Sequence, residues 1–70
     1  MNHIFTNHAK DRINKRNLTE LEVIESIEHA DKILTRQDKY YAQKLIREGK
    51  IEVVFEKGEN YIKIITVYWI

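Results

Sequence analysis

The chain changes its hydrophobic period once, near Asp31, and that change narrows the folds open to it. Before it stand two helix starts, at Thr6 and Thr19; after it, strand-like segments run to the final IKIITVYWI. Thr6 can cap a first helix that runs to about Arg16 with Ala9 and Ile13 facing the core, and Asn17 is a natural stop. The second start is stronger. Thr19 and Glu22 have the spacing of a capping box, and Leu18 and Val23 occupy the two positions of a hydrophobic staple. Leu21, Ile24, Ile27 and Ala30 then step by three and predict the buried stripe of the second helix, leaving its glutamates outside.

Beyond Asp31, residues 32–36 read as a short edge strand and 39–47 as a longer one, although YYAQKLI alternates poorly and also fits a helix. Glu48 and Gly49 predict a tight hairpin turn, with the glycine taking the positive φ such turns require. Ile51, Val53 and Phe55 alternate with Glu52 and Glu56, the pattern of a strand with one wet face. A turn over 57–60 around Gly58 precedes 61–70, which is apolar on both faces and reads as a central or doubly covered strand. The order is ααβ(β)ββ, so the expected class is α+β. An N-terminal α-helical hairpin would pack on a three- to four-stranded antiparallel β-meander, in one domain spanning residues 1–70.

At 70 residues the chain sits near the lower limit for a self-sufficient core, since domains of this size bury only about 60% of the surface their unfolded chains expose. It has no cysteine, which excludes a disulfide scaffold and a cysteine-bearing zinc finger and favours a reducing compartment. Dense packing, a bound partner or a homo-oligomer joined at an exposed sheet edge remain as supplements. No apolar run approaches the roughly 20 residues that span a bilayer, and the N-terminus lacks the apolar core of a signal peptide. A cytoplasmic protein without membrane contact is expected.

The net charge of +1 gives no overall attraction for nucleic acid, so the distribution of charge has to decide. Lys10, Arg12, Lys15 and Arg16 crowd the first helix against Asp11, while Glu20, Glu22, Glu25 and Glu28 crowd the second. His8, Arg12 and Arg16 recur every four residues, each about 40° around from the last, and form one slanting ridge. That set suits metal-free RNA cleavage, in which the 2′-hydroxyl attacks the adjacent phosphate. A histidine can exchange the protons near neutral pH, and two guanidinium forks can hold the charge growing on phosphorus. Tyr68 can donate a hydrogen bond or stack on a base, as can Tyr40, Tyr41 and Trp69.

The same residues also admit ordinary structural roles. Arg12 and Arg16 can pair with the glutamates of the second helix, and His8 can be a neutral ring bonded to a backbone carbonyl. Tyr40, Tyr41, Tyr61 and Trp69 suit core or rim positions in a small sheet. His29 is placed to meet the terminal carbonyls of the second helix. His3, His8 and Asp11 lack a recognised metal-ligand spacing, and no phosphate-binding or dinucleotide-binding glycine run occurs, so neither metal nor cofactor is expected.

Taken in order, T-x-H-A-x-x-R-x-x-x-R, L-T-x-x-E, Y-Y-A-Q, V-V-F and I-I-T-V-Y-W cover nearly the whole chain. This succession resembles small uncharacterised relatives of the RelE/ParE toxin superfamily, including the BrnT-like branch. The resemblance implies a compact α+β domain whose basic face is occluded by a cognate antitoxin. It implies RNA as substrate, often messenger RNA on the ribosome, cut by basic residues with a tyrosine or histidine in place of a metal. Position by position it points to His8, Arg12 and Arg16 on the first helix and Tyr68 on the last strand. Larger superfamily members begin with a strand, of which Ile4 and Phe5 can supply a vestige. A non-catalytic module of the same fold, binding nucleic acid or protein, is the alternative expectation.

Overall fold

A computed structural model describes residues 2–70, in the order β1 (Asn2–Phe5), α1 (Asn7–Lys15), α2 (Glu20–Glu28), β2 (Lys32–Arg36), β3 (Lys39–Ile46), β4 (Gly49–Lys57) and β5 (Tyr61–Trp69). The class is α+β, but the expected plan needs two corrections. The chain opens on a strand rather than on the helical hairpin, and the sheet has five strands in the order β1-β5-β4-β3-β2. Strands β2 to β5 form the antiparallel meander, while β1 joins parallel to β5, with Asn2 opposite Tyr61 and Phe5 opposite Ile64. Asn2–Phe5 is too short to show a period of its own, and its partner is the last strand of the chain. Ile4 and Phe5 therefore do belong to a leading strand.

The helices begin where their caps place them. Thr6 Oγ1 accepts from the Ala9 N–H at 3.0 Å. The capping box of α2 is complete, with Glu22 N–H donating to Thr19 Oγ1 at 3.1 Å and Thr19 N–H donating to Glu22 Oε1 at 2.9 Å. Asn17, at φ 62°, ends the first helical segment in the left-handed region that asparagine tolerates. α1 lies along the second half of β5, past the end of β1, and α2 rests on β3 and β4. Each helix thus packs on its own part of the sheet more than on the other.

The buried stripe of α2 is rotated from the expected one. Leu21 is 63% exposed, whereas Val23, Ser26 and Ile27 are buried. Strict three-residue steps drift around a helix of 3.6 residues per turn, so 23, 26, 27 and 30 share a face that 21, 24, 27 and 30 do not. Ser26 is admitted because its hydroxyl donates to the Glu22 carbonyl at 2.8 Å, which leaves no unpaired polar atom.

The turns depart from glycine-based expectations as well. Ile46 faces Gly49, so the β3–β4 turn is Arg47–Glu48, and the positive φ (52°) falls on Arg47. Gly49 belongs to β4, where an added Cβ would stand 2.9 Å from Cζ3 of Trp69. Its glycine serves a ring lying against it. Gln37 (φ 51°) and Asp38 (φ 65°) join β2 to β3 with both central residues left-handed, the primed turn that matches strand twist.

Arg47 also ties the β3–β4 turn to the helices, donating from Nη1 to the Asn17 carbonyl at 3.0 Å and from Nη2 to both Glu22 oxygens at 2.7 Å. Burial would raise the Glu22 pKa, but the Thr19 N–H and the Arg47 guanidinium outweigh it and hold the carboxyl below its ordinary 4.5. A depressed carboxyl pKa contributes stability that is full above the ordinary value and lost as pH falls through the lowered one. Arg47→Ala should therefore shrink the loss of stability on acidification below about pH 4.5, read by denaturant unfolding across pH. The rotated helix face gives a second test: Val23→Ala should cost on the order of 2 kcal/mol, and Leu21→Ala less than about 0.5 kcal/mol. Equal costs would return the stripe to Leu21.

Candidate functional site

One face of the sheet carries the helices and the other carries the polar chemistry. Ala42, Ile51, Val53, Phe55, Ile62, Ile64 and Val67 form the core with Ala9, Ile13, Leu18, Val23 and Ile27. Ile62, Ile64 and Val67 break strict alternation, and an irregularity in pairing explains how all three face inward. Val54 pairs with Thr66 and Phe55 with Ile64, so Ile65 is an extra residue in β5. Such a bulge reverses the alternation beyond it and re-aims the side chains that follow. Without it, Thr66 and Tyr68 would share the helix-covered face of Ile62 and Ile64; with it, they join the open face.

Two cross-strand rows build that face. Gln43, Glu52 and Tyr68 stand opposite one another on β3, β4 and β5. The Tyr68 hydroxyl donates to Glu52 Oε1, and Gln43 Nε2 donates to Glu52 Oε2 at 2.8 Å. Tyr41, Val54 and Thr66 form the adjoining row, with the Arg36 guanidinium 5.7 Å from the centre of the Tyr41 ring. Burial pushes the Tyr68 hydroxyl up to about 12, helped by its bond to Glu52 and by that carboxylate's charge, while Arg36 offsets part of the rise. Tyr68 is therefore a fixed, protonated phenol at neutral pH.

The sequence-predicted residues meet this face to different extents. His8 is exposed and its Nε2 lies 3.1 Å from Thr66 Oγ1, rather than against a backbone carbonyl. Thr66 and Tyr68 are two residues apart on one face, so His8 and Tyr68 serve adjoining rows. Arg12 and Arg16 follow His8 along α1 beside β5, and the Arg16 carbonyl accepts from Trp69 Nε1 at 3.1 Å. Neither arginine pairs with a glutamate of α2 among the described residues. Arg12 Nε has Asp11 at 3.9 Å, while Glu22 is taken by Arg47. No described polar contact joins either guanidinium to Tyr68.

Several residues that the sequence did not single out belong here. Arg36, Gln43, Glu52 and Thr66 are brought together by register with Tyr41, already a stacking candidate, and the alternation of Glu52 with the core residues of β4 was their single legible sign. Lys32, Lys39, Lys50 and Lys63 share the open face, whose described carboxylates are Glu52 and Glu56. The glutamates of α2 lie on the helix side, so the open face keeps a local excess of positive charge. The remaining aromatics are structural: Tyr40 stacks on Phe55 at 5.3 Å, and Tyr61 lies over Gly58. His29 ends α2 through its backbone, whose N–H donates to Glu25 at 2.8 Å. Among the described residues no group of three histidine, aspartate or glutamate side chains converges to hold a metal.

The Tyr68 environment can be measured directly. A raised tyrosine pKa contributes stability that is full below the ordinary value of 10.0 and lost as pH rises toward about 12. In an ultraviolet absorbance titration, Tyr68 should ionise near 12, and Glu52→Gln should bring it down toward 10.0. Ionisation of every tyrosine near 10.0 would contradict the Glu52 bond.

No helix among the described residues is long and apolar enough to cross a membrane. Neither the curated proteins nor the solved structures contain a match to the chain. A family model described as "Domain of unknown function (DUF4258)" matches residues 5–69, from the last residue of β1 to the last residue of β5. Because that match takes in both helices, the antiparallel meander and the open face with its His8 ridge, the chain belongs to the DUF4258 family.

Proposed function

We propose that the open sheet face and the His8–Arg12–Arg16 ridge bind RNA and cleave it without a metal, as a toxin-type endoribonuclease of the kind the sequence resembles. One observation supports this reading above the others: His8 touches Thr66 on the face that also holds Tyr68 and an excess of lysine and arginine. A 2′-hydroxyl loses its proton and attacks the adjacent phosphorus, the bond to the 5′ oxygen breaks, and that oxygen takes a proton. The products are a 2′,3′-cyclic phosphate and a 5′-hydroxyl. His8 is the base or the acid of this exchange, with water as the other. Arg12 and Arg16 hold the non-bridging oxygens as their charge grows. Tyr68, fixed by Glu52, offers its ring for positioning the substrate.

This reading includes a RelE/ParE-like arrangement of the helices on the meander and a cytoplasmic setting. It also includes a cognate antitoxin with an acidic surface that covers the basic ridge in the resting state, and messenger RNA, free or ribosome-bound, as substrate. Inducible expression of the wild type should arrest growth and fragment messenger RNA. His8→Ala should lower the cleavage rate by about 10²- to 10⁴-fold, and Arg12→Ala should relieve the arrest at equal protein level. Normal growth with intact RNA on wild-type expression overturns the nuclease reading.

A second reading follows from the fact that the Tyr68 hydroxyl is already spent on Glu52, which leaves His8 alone to move protons. In that reading the face binds nucleic acid without cutting it. Arg12→Ala and Arg16→Ala would then weaken RNA binding by similar amounts and flatten its dependence on salt.

A further inference from the structure

The helix-covered side of the sheet holds a cleft of about 340 Å³ beside the end of α2, a volume within the range of small-molecule sites. Its apolar surface comes from Ile27, Ile33, Phe55 and Ile62, with the Tyr40 ring beside them. Three polar side chains stand at its margin: His3, Lys57 and Glu28. Two of them flank one point. Ile62 faces His3 on β1 and Lys57 on β4, so the three form one row across three strands. At about 4.8 Å between strands, the two polar residues stand on either side of the isoleucine within reach of one small group placed above it.

Both polar groups have bonding capacity unspent. His3 Nε2 is buried with no hydrogen-bond partner among the described residues, and the nearest carboxylate oxygen, Glu28 Oε2, is 3.9 Å away. That distance is beyond a hydrogen bond. No described carboxylate lies within 4.0 Å of the Lys57 ammonium, which instead sits 5.6 Å from the centre of the Tyr40 ring. An apolar cleft with a free ammonium on one side and an unsatisfied ring nitrogen on the other is complementary to an apolar body ending in one carboxylate. We propose that this cleft binds a small monocarboxylic acid with an aliphatic or aryl body. One carboxylate oxygen pairs with Lys57, the other accepts from His3 Nε2–H, and the body lies on Phe55 and Ile27.

Glu28 sets the charge preference. Its side chain is half exposed at the rim, where it repels a second negative charge and so selects a monoanion over a dianionic phosphate ester. The cleft lies on the opposite side of the sheet from the RNA-facing rows, so this site stands whether or not the nuclease reading does.

Amide-resolved nuclear magnetic resonance on the full chain, titrated with 4-phenylbutyrate and in parallel with 4-phenylbutanol, tests the proposal. Saturable shifts at His3, Ile62 and Lys57 are expected with the acid, and binding of the alcohol should be weaker by about tenfold, the worth of one charge-assisted contact. Lys57→Gln should weaken acid binding by a similar factor, and Glu28→Gln should tighten it; both replace exposed charges, and the amide spectrum reports their folding. Absence of saturation up to about 10 mM acid, far weaker than an ordinary small-molecule site, would overturn the proposal. So would equal binding of acid and alcohol, or an unchanged affinity in Lys57→Gln.

Discussion

The hydroxyl of Thr6 joins the three parts of this molecule that have to agree. It accepts from the Ala9 N–H at 3.0 Å and so starts α1, and it donates to the carbonyl of Ile65, the extra residue of β5, at 3.2 Å. The Thr6 backbone N–H donates to Ile64 at 3.2 Å, the last ladder bond before β1 gives way to the helix. One residue therefore ends a parallel strand, caps a helix and holds the bulge. Because the bulge changes which side of β5 faces the core, Val67 packs inward while Thr66 and Tyr68 turn out, and α1 arrives at the edge where His8 meets Thr66.

A sheet with helices on one side has an uncovered side, and this chain uses the two differently. The helix side takes the small β-branched residues, the Gly49–Trp69 contact and the glutamates of α2, one of which is locked to Arg47. The open side takes Lys32, Lys39, Lys50, Lys63, Arg36, Tyr41 and the Tyr68–Glu52–Gln43 chain. Charge on a polyanion's partner has to be concentrated on one surface to act, because exposed charges more than about 8–10 Å apart are largely screened at physiological salt. A net charge near zero is thus compatible with a locally basic face.

Local signals in the sequence identified local structure well. Thr6, Asn17 and the Thr19–Glu22 box mark the helix ends, and the alternation of Ile51, Val53 and Phe55 marks β4 with its inward face. Features set by distant pairing were not legible. β1 exists because β5 has a free edge, and its own residues carry no periodic signal. The two apolar faces of 61–70 come from a phase change at Ile65, which a count of hydrophobic positions reads as double burial. Glu52 looked like one more solvated glutamate, since its partners Tyr68 and Gln43 lie on other strands. The primed turn at Gln37–Asp38 was hidden because no glycine announces it, and Gly49 drew the expected β3–β4 turn one residue too late, since the positive φ falls on Arg47. His8, Arg12 and Arg16 were legible as a ridge because helical spacing is local, whereas Tyr68 was a candidate by its chemistry and by the resemblance, with no local spacing to place it beside that ridge.

On the proposed reading, the surface built around the Thr6 junction performs 2′-hydroxyl chemistry on RNA with no metal. The most direct measurement is cleavage of an end-labelled RNA by the purified chain in excess chelator, beside the same strand carrying a single 2′-deoxy residue at the cut position. The all-ribose strand should be cut to a 2′,3′-cyclic phosphate end, and the deoxy strand should survive at that position. Cutting of the deoxy strand there, or no cutting of either strand by protein freed of any bound partner, would contradict the proposed reading.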